Sequence, residues 1–72
     1  MKEFDYIKKF KYPDSKGHIV SVYVHKINRT VNDVHIVVFL DHLLHTTAHC
    51  ELLTKGSYKF DYFLYDGKEF EV

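Results

Sequence analysis

Six histidines, at positions 18, 25, 35, 42, 45 and 49 of a 72-residue chain, are the side chains most able to do chemistry. Three of them fall in Asp41-His42-x-x-His45-x-x-x-His49-Cys50. On a helix, His42, His45 and His49 share a face, and three imidazoles there would hold zinc with its fourth position open. The glutamate of an HExxH motif is missing. On a strand only His45 and His49 share a face, and a metal would need ligands from elsewhere. The same imidazoles suit general acid–base catalysis, with Lys or Arg stabilising phosphate charge. A metal- or histidine-dependent hydrolase or ribonuclease is therefore one reading of the chain. Other catalytic patterns are absent: there is no Gly-rich phosphate loop and no G-x-S-x-G elbow. Cys50 beside His49 makes no dyad on a strand, where sequence neighbours point apart, and suits the role of a small buried hydrophobe.

The elements that must position these residues are mostly strands. From Phe4 to Tyr12 the aromatics Phe4, Tyr6, Phe10 and Tyr12 alternate with Asp5, Lys9 and Lys11, the period of a half-buried strand. Pro13-Asp14-Ser15-Lys16-Gly17 reverses the chain, with Pro presetting φ and Gly tolerating positive φ. His18 to Ile27 is rich in β-branched residues and reads as a second strand. Asn28 to Asp33 is a second turn. Val34 to Leu40, the most apolar run, reads as a central strand buried on both faces.

Asp41 to Lys55 fits two patterns. As a helix it has an Asp41 N-cap, an inward stripe of Leu44, Ala48 and Leu52, and a Lys55-Gly56 close. As a strand it turns Leu44, Thr46, Ala48, Cys50 and Leu52 inward and His45, Thr47, His49 and Glu51 outward. Leu43-Leu44 makes a poor hairpin turn after Asp41, and the helix is the favoured reading. Asp66-Gly67 between Tyr58–Tyr65 and Lys68–Val72 signals a type I′ hairpin, with Phe63 opposite Phe70. The fold class expected is α+β or all-β. It consists of a small antiparallel sheet of about five strands, ordered β-β-β-[α or β]-β-β, ending in the Asp-Gly hairpin.

That hairpin offers the main binding candidate. Tyr58, Phe60 and Tyr62 share one strand face while Phe63 and Phe70 claim the other, and a thin domain leaves aromatic area for a partner. Tyrosine suits such surfaces because it buries a large area and keeps a polar tip.

Residues 1–72 suffice for one domain and not two. A domain of this size buries only about 60% of its unfolded surface, so its core needs large side chains, which six Phe and six Tyr supply. Ten basic residues balance ten acidic ones, which argues against an electrostatic nucleic-acid binder. Residues 1–36 hold seven Lys or Arg against four acids, and residues 37–72 three against six, so the chain could pair head to tail with itself as a homodimer. One cysteine allows no internal disulfide, and neither a signal-peptide stretch nor a membrane-length apolar run occurs. The expectation is a cytoplasmic protein. Its brevity, lone cysteine and lack of a catalytic motif resemble small phage or mobile-element proteins that block a larger host enzyme. The leading reading is thus a module that docks on a partner protein, as an inhibitor or adaptor, with no cofactor. The hydrolase alternative would use zinc at His42, His45 and His49.

Overall fold

A computed structural model describes residues 5–56 and 59–72. It is all-β, with six strands: β1 (Lys8–Pro13), β2 (Ile19–Asn28), β3 (Asp33–Leu40), β4 (Leu43–Glu51), β5 (Tyr62–Tyr65) and β6 (Lys68–Glu71). Strands β1 to β4 form an antiparallel meander in that order, and β5 and β6 form a separate two-stranded sheet. Among the described residues there is no helix, and so none long and apolar enough to cross a membrane.

Local chemistry explains each reversal. In the first turn the Asp14 carboxylate accepts from the backbone N–H groups of Lys16 and His18 (2.9 and 2.8 Å), and Gly17 takes φ +86°. In the second, the Asn28 side chain accepts from the Thr30 N–H at 3.1 Å. The last is the expected Asp66-Gly67 turn, with φ +54° and +71°, and Phe63 pairs with Phe70 as the register requires.

The third reversal overturns the helix expected over 41–55. Asp41 and His42 both adopt positive φ, +48° and +73°, making them the central pair of a two-residue hairpin turn that a right-handed helix cannot contain. Asp41 accepts through its carboxylate from the Ile19 N–H at 2.8 Å, so its capping capacity serves β2. Leu43 to Glu51 then completes the ladder of β3, and β-branched Thr46 and Thr47 suit that role. The inward set of the strand alternative holds for Ala48, Cys50 and Leu52. It fails for Leu44, which is 63% exposed, because β4 carries a bulge at His45.

Three smaller expectations also change. β3 is central but alternates: Val34, Ile36 and Val38 are buried, while Asp33, His35, Val37 and Phe39 are half-buried. Tyr6 leaves the alternation of β1 and sets its ring edge-on to Tyr23, 4.9 Å between centroids, whereas Phe10 and Tyr12 pack into the core. The final hairpin is also shorter than expected, since β5 begins at Tyr62, which bridges back to Leu53.

One apolar cluster joins the two sheets: Val20, Val22, Val24, Val34, Ile36 and Val38 from the meander, Leu52 after it, and Phe63 and Phe70 from the hairpin. Phe63 and Phe70 stack at 5.3 Å, and Phe70 lies 4.8 Å from Phe10. Lys55–Glu69 (2.6 Å) and Tyr12–Asp66 (3.0 Å) tie the hairpin's rim to the meander side. The hairpin thus covers one face of the meander. The other carries Lys9, Tyr23, Val37, His35 and His49, as the strand period dictates.

Candidate functional site

On the face turned from the hairpin, Asp33, His35 and His49 come together. Asp33 and His35 are two residues apart on β3 and so share a face, and His49 of β4 lies directly opposite His35. The Asp33 carboxylate Oδ2 is 2.8 Å from His35 Nε2 and 3.3 Å from His49 Nδ1. The two imidazole centroids are 3.8 Å apart. Asp33 and His35 are about one-third or less exposed in their side chains, and His49 about two-thirds. An ionised carboxylate only accepts, so His35 donates its Nε2–H to Asp33, while His49 Nδ1 stands near the same oxygen without a hydrogen bond to it. This is the sole such grouping of three metal-ligating side chains among the described residues.

On the hairpin side, a cleft of about 380 Å³ opens between the β1–β2 turn, the end of β3 and the β5–β6 turn. His18, His45, Lys16, Tyr12, Tyr65 and Asp66 contribute to its wall. His18 Nδ1 pairs with Asp41 Oδ2. This pair holds the His18 pKa above the ordinary histidine value, while the Ile19 N–H, followed by His18, holds the Asp41 carboxyl below its own. Burial, with the Asp66 hydrogen bond second, pushes the Tyr12 hydroxyl up to about 12, and burial raises that of Tyr65 as well.

The two edges of the meander differ. β1 presents Lys8, Lys9, Lys11 and Pro13, the charges and the missing N–H that discourage another strand from adding. β4 runs LLHTTAHCE, with neither Lys, Arg nor Pro, and its Leu43 and Leu44 are 74% and 63% exposed. Among the described residues no strand pairs with the outer side of β4.

The residues singled out from sequence are scattered by this fold. His42 sits in the β3–β4 turn, His45 at the bulge facing the cleft, and His49 on the opposite face, so the three imidazoles a helix would gather do not converge. Only His49 joins a ligand set, and its companions Asp33 and His35 were missed. Their signal was the Asp33-x-His35 spacing, which puts both on one strand face. Of the aromatic trio, Tyr58 lies outside the described residues, Phe60 is 39% exposed, and Tyr62 is half-buried with the Lys55 ammonium 5.2 Å from its ring centre. Cys50 is partly buried, and that burial raises its thiol pKa, as suits a packing residue. No family model matches this chain, and neither a curated protein nor a solved structure matches it.

Proposed function

We propose that this chain is a small protein-binding module that takes up an extended segment of a partner protein along the outer edge of β4. The observation that carries the reading is the inequality of the two sheet edges. An edge strand presents unpaired N–H and C=O groups, and soluble domains blunt them with Lys, Pro or a covering element. β1 is blunted in this way, whereas β4 has only its bulge and offers two exposed leucines beside its backbone. Strand addition takes affinity from main-chain hydrogen bonds and specificity from side-chain contacts. A second copy of the chain is one partner such an edge can accept, about a twofold axis. A larger enzyme, blocked or recruited, is another, and a reducing cytoplasmic setting goes with the free Cys50 thiol.

The test is a photo-crosslinking amino acid placed in cells at Thr47 on β4 or at Lys11 on β1. Thr47 should give a discrete protein adduct, and Lys11 should not. Replacing Leu43 and Leu44 together by Lys should remove the adduct while moving the thermal midpoint by no more than about 8 °C, since each exposed substitution changes stability by roughly 0.5 kcal/mol or less. Equal adducts from both edges, or none from Thr47, would sink the reading.

A second reading, a histidine-dependent hydrolase, is favoured by one arrangement: an imidazole oriented by a carboxylate, His18–Asp41, at a cleft that also holds His45 and Lys16. Asp41→Asn and His45→Ala should each lower any phosphodiesterase activity at least about a hundredfold. Activity that survives both changes would remove the cleft from consideration.

A further inference from the structure

We propose that Asp33, His35 and His49 form a binding site for a divalent transition-metal ion of the zinc class. The site does not rest on the strand-addition reading and uses a different face of β4.

Two neutral imidazoles and a carboxylate are the donor types that such ions take, zinc, copper and nickel above all. The backbone already converges them. His35 and His49 are held opposite each other by the β3–β4 ladder, and Asp33 is held on their face by the strand period. The three donor atoms lie within 4.8 Å of one another, with carboxylate-to-imidazole separations of 2.8 and 3.3 Å. Ligand bonds of about 2.0 to 2.2 Å in a tetrahedron require donors roughly 3.4 Å apart. The ladder already holds the three side chains on one face, and binding requires their rotation to bring the donors to that spacing. Coordination requires the nitrogen of each imidazole that faces the ion to present its lone pair, with the N–H on the other ring nitrogen. Glu51 lies across from Asp33 in the register and on the His49 face, so it or water can take a remaining position. His49 is mostly exposed, which leaves a path for the ion.

The experiment uses untagged full-length protein, stripped with chelator and titrated with Zn²⁺ by calorimetry, and with Co²⁺ read by visible absorption. One ion per chain is expected. His35→Ala, His49→Ala and Asp33→Asn should each weaken binding at least about tenfold, since even groups that merely support a ligand are worth 10–100-fold. His42→Ala and His25→Ala should leave it unchanged. Ring ¹H and ¹³C resonances of His35 and His49 should shift on zinc addition while those of His18 do not, a readout that holds even if one variant fails to fold. Absence of stoichiometric binding, retention of full affinity in His49→Ala, or equal loss in His42→Ala would overturn the proposal.

Discussion

Phe63 is the side chain on which the docking of the hairpin depends. It is fully buried, stacks on Phe70 at 5.3 Å and meets Phe10 edge-on at 6.4 Å. Truncation to Ala removes the ring's transfer energy, leaves a cavity and breaks both aromatic pairs, about 3–5 kcal/mol in total. At roughly 0.05–0.15 kcal/mol per residue, a domain of this length has about 4–11 kcal/mol to lose. Phe63→Ala should therefore bring the protein near its unfolding threshold. Phe63→Leu, which refills part of the space, should cost about 1–2 kcal/mol and lower the thermal midpoint by roughly 5–15 °C. Phe60, 39% exposed and outside the core cluster, is the control, and Phe60→Ala should change stability by about 0.5 kcal/mol or less. Urea unfolding followed by tyrosine fluorescence and circular dichroism measures all three. Equal effects at Phe60 and Phe63, or a Phe63→Ala midpoint indistinguishable from wild type, would refute the two-layer core.

Two further outcomes concern the β3–β4 turn. His42 holds φ +73°, which costs an L-residue about 1–2 kcal/mol, so His42→Gly should raise the thermal midpoint by a few degrees despite glycine's entropy, and a lower midpoint would refute the turn geometry. The His18–Asp41 pair should be visible in an NMR titration: Asp41→Asn should bring the His18 pKa down towards its ordinary value, and an unchanged titration would show the pair to be absent in solution. The sign follows from linkage. The raised His18 pKa means stabilisation that is complete below about pH 6.5 and fades as pH rises through the folded value. The lowered Asp41 pKa means stabilisation that is complete above about pH 4 and is lost in stronger acid. The pair thus contributes most between those limits, and Asp41→Asn should narrow the stability difference between pH 5 and pH 8.

Where sequence and structure agree, the signal was local. Asp66-Gly67, Pro13 to Gly17 and the β-branched run of β2 each act through their own backbone preferences, and the structure follows them. Residues 41–55 were ambiguous for an arithmetical reason. Leu44, Ala48 and Leu52 are spaced by four, which satisfies a helix of period 3.6 and a strand of period two equally well. The decision lay in long-range terms: β3 needs a partner for its second edge, and Asp41 meets Ile19 and His18 across the meander. The aromatic surface expected at Tyr58, Phe60 and Tyr62 assumed one long strand. Within the described residues the strand begins only at Tyr62, which bridges back to Leu53, while the Phe60 carbonyl accepts from Arg29 at 2.6 Å.

The candidate metal site shows why a register can matter more than a motif. Next to the β3–β4 turn, Leu40 faces Leu43 and Phe39 faces Leu44. Continued without interruption, that pairing would set Ala48 against His35 and His49 against Val34, sending the His49 imidazole into the apolar core. The bulge at His45 adds one residue to β4 and shifts every later pair, so that Ala48 meets Ile36 inside and His49 meets His35 outside. The same insertion turns Cys50 inward, opposite Val34. A single irregular residue therefore decides that His49 joins His35 and Asp33 on the face turned from the cleft, while His45 stays at the cleft wall with His18. Spacing within 41–50 could not disclose this, because the partners of His49 are supplied by β3 and the face it occupies is set by the bulge.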